Sequence, residues 1–448
     1  MRRHLLIGTL GRQDNTPIPS APDEVVTQFP LAIQIQTALQ DLKRLQIFPS
    51  EIGVDLITLA AHVHAADTRI SRFTESQDTW TREFRLVVPV SAPPLWTATS
   101  DLLSRMLNFL TGDKWDIGFR PRPTGFSTIV PTRSKALIAP PFNCVSLFSG
   151  GLDSLIGAID ALEDGQTPLF VSHAGEGATS DAQNQCVSAL NGHYRRIAFG
   201  RLRLWLNFPK SLVRDVESEN TTRGRSFLFF ALGIFAGTGI NQPFVLKVPE
   251  NGLIALNVPL DVVRLGALST RTTHPFYMAR WNELLSLLGI NGTVENPYWN
   301  KTKGEMVAAC RNQRLLIDII PASLSCSSPT KGRWQGRAIE HCGYCLPCLI
   351  RKAALQHALG LGNDPTTYSI DNLNTQVLDT LRAEGQQIRS FQLAIQRLRQ
   401  NPDIARILIH KSGSLADQPQ NLTGLADVYR RGMNEVAALL SGVRATPS

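Results

Sequence analysis

CVSLFSGGLDSLIGAIDAL, residues 144–162, drives an apolar strand-like segment into Ser149-Gly150-Gly151-Leu152-Asp153-Ser154 and then directly into a helix-like one. Adjacent glycines at a strand end are costly, because glycine loses more conformational freedom on folding than any other residue. Something must need to approach the bare backbone there. A strand that opens into a helix offers unpaired N–H groups and the positive end of the helix dipole, which suit an anion. Ser149 and Ser154 add hydroxyl donors, and Phe148 and Leu152 frame the loop. Asp153 would repel a phosphate unless Mg2+ or an ordered set of donors intervenes, so it points to a metal–triphosphate complex. The spacing is neither G-x-x-x-x-G-K-[ST] nor G-x-G-x-x-G. A Gly-Gly turn with Ser and Asp helix caps is the purely structural alternative.

Outward from the loop, "NCVSLF", "PLFVSHA", "RIAFGRLRLWLNF" and "FVLKVPENGLIALNV" read as apolar strands. "SLIGAIDALED", "DAQNQCVSALNGHY" and "GRSFLFFALGIFAG" read as helices between them. Strands alternating with helices predict an α/β core built on a parallel sheet covered on both faces. Upstream, "LAIQIQTALQDLKRLQI" and "GVDLITLAAHVHAAD" carry helical periodicity, and "TREFRLVVPV" alternates Phe84, Leu86, Val88 and Val90 at period two. With the strand-like "KWDIGFRPR", this reads as a small α+β domain with no chemical constellation of its own. "PRPTGFSTIVPTRSKALIAPPF" has five prolines and reads as a linker. Beyond residue 358 the chain reads as helices, with Leu425, Val428, Val436 and Leu439 at helical spacing. That stripe calls for core packing or for a second subunit. The expected units are 1–138, 139–358 and 359–448.

The 448 residues are 43% hydrophobic and 18% charged, which fits a globular chain and excludes a disordered one. The net charge of +8 favours an anionic partner. No apolar run approaches the roughly 18 residues that span a bilayer. The opening "MRRHLLIGTLGRQDN" is too weakly apolar for a signal peptide, so a cytoplasmic location is expected.

Four of the seven cysteines crowd into "SCSSPTKGRWQGRAIEHCGYCLPCLIRKAAL". Cys342, Cys345 and Cys348 form a C-x2-C-x2-C run, and Cys326 completes a tetrahedral four-cysteine zinc site. A closed site has no open coordination position, so the zinc is expected to be structural. His341 is a weaker alternative fourth ligand, and an iron–sulfur cluster is the alternative cofactor. Cys144, Cys186 and Cys310 are isolated and read as core.

The SGGLDS loop resembles that of the ATP pyrophosphatases, the PP-loop or adenine-nucleotide α-hydrolase-like group. In that group the loop holds the β- and γ-phosphates while an oxygen nucleophile attacks the α-phosphorus. With the later C…C-G-x-C-x-x-C-[LI]-x-R pattern, residues 140–358 resemble the QueC-type 7-cyano-7-deazaguanine synthases. "RGRSFLFFALGIFAG" is similar to that family's R-N-x-x-F helix, with Arg225 and Ser226 in the Arg-Asn places. The flanking regions depart from the housekeeping enzymes. "DTWTREFRLVVPV", "MLNFLTGDKWDIGFR", "PENGLIALNVPL", "STRTTHP" and "NPYWNKTKGEM" look closer to QueC-like proteins of bacterial anti-phage systems. The resemblance implies an ATP-, Mg2+- and zinc-using carbon–nitrogen ligase acting in defence. It would adenylate a 7-carboxy-7-deazaguanine-like acid and pass it to ammonia, giving 7-cyano-7-deazaguanine, or to an amine of a partner protein. A tRNA-modifying thiolase of the same loop class and a non-catalytic nucleotide-binding scaffold are the alternatives.

Further candidates surround the loop. Ser172 and His173 end the second strand, where this fold group meets the adenine. Glu250 and Asn251 end another strand, where open α/β sheets bind ligands. Arg264, Arg271, Thr272, Thr273 and His274 follow. Arg271 suits a carboxylate or phosphate, and His274 is a candidate acid–base group. Lys301 and Lys303 are candidates for neutralising charge at the α-phosphate. The flanks, having no chemistry of their own, are expected to bind a partner protein or a second copy of the chain. Nucleic acid is a less favoured partner, suggested by arginines among aromatics in "YRRIAFGRLRLWLNFPK".

Overall fold

The computed structural model describes residues 3–447 apart from 12–13, 15, 31, 77–79, 132–139, 176, 207, 220, 222, 241, 261–270 and 331–338. The first unit contains β1 (Arg3–Thr9), β2 (Glu24–Pro30), α1 (Ala32–Arg44), α2 (Glu51–Arg69), α3 (Arg72–Glu75), β3 (Glu83–Val90), α4 (Pro93–Thr97), α5 (Ser100–Thr111) and β4 (Lys114–Pro121). Its four strands lie in the order β2-β1-β3-β4 and every pair is parallel. The unit is therefore α/β, not the α+β domain that the sequence suggested. The reason lies in "RHLLIGT". This segment forms the interior strand β1, pairing with both β2 and β3. β3 is interior too. Its period-two pattern gives way to burial at every position from Leu86 to Val90, as parallel sheets covered on both faces require.

The second unit follows with β5 (Cys144–Leu147), α6 (Leu152–Glu163), β6 (Pro168–Ala174), α7 (Gly177–His193), β7 (Gly200–Trp205), α8 (Arg225–Gly237), β8 (Phe244–Lys247), α9 (Gly252–Leu256), α10 (Pro275–Leu287) and β9 (Gly292–Glu295). The five strands are parallel, in the order β7-β6-β5-β8-β9. The chain winds from β5 outward through β6 to β7, then returns to β8 on the other side. The crevice between β5 and β8 is thus the topological switch point, where open α/β sheets hold ligands at their carboxyl ends. Two details differ from expectation. "NGLIAL" forms α9 instead of extending β8, because the Asn251 side chain accepts a hydrogen bond from the Ile254 N–H and caps a helix there. β9, only four residues long, carried no strand pattern of its own.

The rest is helical: α11 (Lys303–Ala308), α12 (Gln313–Ile319), α13 (Leu346–Leu359), α14 (Ala383–Gln400), α15 (Ala405–Leu408) and α16 (Leu422–Leu439), with a two-residue pair β10 (Leu378–Asp379) and β11 (Ala445–Thr446). The stripe on α16 is covered by the chain itself. Leu425, Val428 and Val436 are buried and Leu439 partly so, in a cluster with Leu253, Leu349, Ile350 and Phe391. It asks for no outside partner.

One apolar cluster runs from the first sheet into the second unit. α2 lies against α8 so closely that a Cβ on Gly53 would come 2.5 Å from Thr238 Oγ1. Among the described residues no helix is long and apolar enough to cross a membrane.

Candidate functional site

β5 ends at Leu147, and Phe148 and Ser149 lead into the glycine pair. Gly150 has φ +81°, a conformation that favours glycine, and a Cβ there would meet Gln183 N of α7 at 3.0 Å. Gly151 then opens α6, whose N-terminus has no side-chain cap. The helix dipole and the first-turn N–H groups beyond Leu152 are left to whatever anion approaches. Ser149 Oγ and Ser154 Oγ lie 3.2 Å apart across the turn, and Ser154 Oγ donates to Gly151 O.

Asp153 is held by protein groups on two sides. Its Oδ1 lies 3.0 Å from Lys303 Nζ, and its Oδ2 accepts from Asn251 Nδ2 at 2.7 Å and from Asn251 N at 3.3 Å. The loop after β5 and the loop after β8 are thereby tied together across the switch-point crevice. Glu250, beside Asn251, accepts from Thr273 Oγ1. Desolvation pushes its carboxyl up to about 7, and the nearby Asp153 charge adds to this, against the opposing effects of Thr273 and Lys303.

Asp153, Glu250, Asn251, Thr273 and Lys303 therefore converge. Thr272 joins the edge of this group, its hydroxyl 2.6 Å from Ser226 Oγ at the start of α8. Lys301 does not converge. Its amine lies over the Tyr298 ring in a notch shared with Asp160 and Arg311. Arg271 donates to Phe109 O at 2.8 Å and lies over the Phe109 ring. His274 caps α10, its Nδ1 accepting from Phe276 N, and burial pushes it down to about 3. Ser172 Oγ donates to Phe148 O. His173, on the opposite face of β6, packs edge-on against His64 with ring centroids 5.4 Å apart. Arg225 lies over Phe229 and reaches Gly175 at the end of β6. Arg264 lies outside the described residues.

No protein-family model and no curated protein matches this chain.

The Sγ atoms of Cys326, Cys342, Cys345 and Cys348 all lie within 4.8 Å of one another. Cys326–Cys345 and Cys342–Cys348 are both 3.9 Å apart. A zinc ion with Zn–S bonds of about 2.3 Å needs a tetrahedron edge of about 3.8 Å. Backbone N–H groups of Ser328 and Cys342 point at Cys326 Sγ, and that of Cys345 at Cys342 Sγ. Such donors stabilise thiolates. The residues fit a metal such as zinc. His341 is not a fifth claimant, since its Nε2 accepts from Ser325 N at 3.1 Å.

The knuckle also touches the loop, which the sequence reading missed. Leu324 N donates to Gly150 O at 2.8 Å, and Leu152 N reaches Ser325 Oγ at 3.4 Å. Other contributors were missed as well. Asp67 of α2 accepts from Gly224 N, just before Arg225. Glu435 of α16 accepts from Thr302 Oγ1 and Gly304 N, fixing the start of the helix that carries Lys303. The available signal was polarity out of place: Asp67, with Asp55, His62 and His64, interrupts the apolar face of a buried helix, and Glu435 sits on an apolar stripe. A cavity of 540 Å3 opens between α9, the knuckle, α14 and α16, and none of residues 149–154 lines it.

Proposed function

We propose that this chain is a PP-loop, QueC-like ATP-dependent ligase. It activates a 7-carboxy-7-deazaguanine-like acid as its adenylate and passes the acyl group to a nitrogen nucleophile. The observation that carries this reading is the Ser149–Ser154 loop, opening an uncapped helix at the switch point of a parallel sheet and tied to a four-cysteine knuckle.

Each residue has a task in that chemistry. The bare backbone at Gly150 and Gly151, the two serine hydroxyls and the α6 dipole bind the β- and γ-phosphates. Magnesium enters with the triphosphate as part of the substrate. The acid's carboxylate attacks the α-phosphorus, an O–P bond forms, the bond to the β-phosphate oxygen breaks, and pyrophosphate leaves. Lys303, held by Asp153, places a cation where that negative charge develops. The nucleophile's nitrogen then attacks the acyl carbon and AMP leaves. Glu250, with its carboxyl near 7, suits the proton released from the nitrogen at neutral pH.

Ammonia or an amine of a partner protein serves as the nucleophile, and a role in anti-phage defence goes with the second. A sulfur-carrying thiolase is disfavoured. Cys144, Cys186 and Cys310 are buried, and desolvation raises all three thiols, Cys186 and Cys310 to about 12. The test is incubation with ATP, Mg2+ and the carboxy-deazaguanine, with mass spectrometry of nucleotide, base and protein. AMP and pyrophosphate formed only with the acid present support the reading. No nucleotide turnover, or sulfur transfer to RNA, overturns it.

A further inference from the structure

Arg351 is fully buried on α13, three residues beyond the last cysteine of the knuckle. A buried guanidinium normally pairs with a carboxylate. Among the described residues this one does not. It donates to Thr366 Oγ1, to Ile320 O at 2.9 Å, to Ser323 Oγ at 3.0 Å and to Ser325 Oγ at 3.3 Å. Three of its four partners, Ile320, Ser323 and Ser325, lie in the short stretch that leads into Cys326. The same Ser325 hydroxyl meets Leu152 N in the first turn of α6, and the neighbouring Leu324 N holds Gly150 O.

Ser323–Ser325 is therefore a strut between two centres 173 residues apart in sequence at the Leu152–Ser325 contact. One end is pinned by the knuckle on both sides: His341, next to Cys342, accepts from Ser325 N, and Arg351, one turn after Cys348, donates to both serine hydroxyls. The other end sets the shape of the glycine turn. Four thiols gathered within 4.8 Å have little reason to stay together without a cation, because thiolates repel one another at that range. Losing the metal frees Cys326 from Cys345, and with it the strut.

We propose that Arg351 and Ser325 are positioning residues that couple metal binding at the cysteine knuckle to pyrophosphate or triphosphate binding at the Ser149–Ser154 loop. The coupling rests on the phosphate-loop reading given above. It is reciprocal by thermodynamic necessity: if the metal tightens the anion, the anion tightens the metal.

The experiment uses the full chain with its metal, and Ser325→Ala and Arg351→Met variants. Inorganic pyrophosphate with Mg2+ is the anion probe, measured by calorimetry. Metal release to a chromogenic chelator is followed with and without pyrophosphate. Amide exchange at Gly151 and Leu152 is read as a third, ligand-independent signal. In the wild type, pyrophosphate should slow metal release at least about fivefold, and metal removal should deprotect the two amides; a coupling factor of this size is ordinary. Ser325→Ala should keep one metal per chain, bind pyrophosphate several-fold more weakly, and lose the slowing. Arg351→Met should do the same where it folds, and Ser325→Ala decides the matter where it does not. Wild-type protein that binds pyrophosphate equally well with and without metal overturns the coupling alone. Wild-type protein that binds no pyrophosphate at all overturns the phosphate-loop reading and the coupling with it.

Discussion

At the scale of single residues, the Asp153–Lys303 contact decides how the loop responds to mutation. Lys303 is only 4% exposed, so removing its partner leaves a buried charge unpaired. Asp153→Asn should therefore cost on the order of 3 kcal/mol as well as turnover. Adding Lys303→Met should restore most of the stability and none of the activity, a cycle read by chemical denaturation and by AMP production. An Asp153→Asn protein as stable as the wild type would show the contact to be unimportant. Glu250 gives a pH signature. Its carboxyl is raised from 4.5 to about 7, so across that interval the folded chain holds a proton that the unfolded chain has released. Stability contributed by the protonated form is complete below the lower value and is lost as pH rises through the upper one. Melting temperatures between pH 4.5 and 7.5 should fall more steeply for the wild type than for Glu250→Gln, and parallel curves would remove Glu250 from the buried group. The sequence named Asp153, Glu250, Asn251 and Lys303 but not their pairing. Pairing depends on the segments after β5, β8 and β9 meeting at one end of the sheet, and no local pattern encodes that.

Elements carry the next set of effects. The glycine turn and the knuckle act as one piece through Ser323–Ser325. Gly150→Ala places a Cβ at φ +81°, costing about 1–2 kcal/mol for left-handed backbone, and sets it 3.0 Å from Gln183 N. We expect a lower melting temperature and loss of pyrophosphate binding, and an unaltered calorimetric titration would contradict the placement of the anion. The knuckle should hold one zinc per chain. Cys345→Ser should lower soluble yield more than it alters chemistry, and elemental analysis showing iron, or no metal, would refute the assignment. The alternating strands and helices of the second unit were legible because each strand is a short apolar run bounded by turn residues. β1 was not. A single seven-residue strand at the start of a chain has no periodic neighbour to reveal it, and only pairing with β2 and β3 fixes its place.

On the scale of the whole molecule, the three stretches of chain are welded together. α8 buries Phe227, Phe230 and Phe235 in the cluster that also holds Val54, Ile57 and Ala61 of α2. Residues 140–448 made alone should therefore aggregate, and should co-elute as a soluble complex when residues 1–131 are supplied in the same cell. A monodisperse 140–448 fragment in size-exclusion chromatography would show the first unit to be dispensable for folding. This dependence was not legible in the sequence. The composition of α2 predicts burial, and nothing local says against what. The expected role of the flanks as docking surfaces loses its main support once the α16 stripe is found covered.

Glu435 accepts from Thr302 and Gly304, 133 and 131 residues upstream. A ribosome delivers the chain from its amino end, and domains begin to fold as they emerge. The glycine turn is complete at Ser154, yet the carboxylate that anchors the helix bearing Lys303 follows 281 residues later. Nascent chains stalled before that point should hold the sheet and lack a competent site. On the reading proposed above, nucleotide turnover would therefore await synthesis of α16.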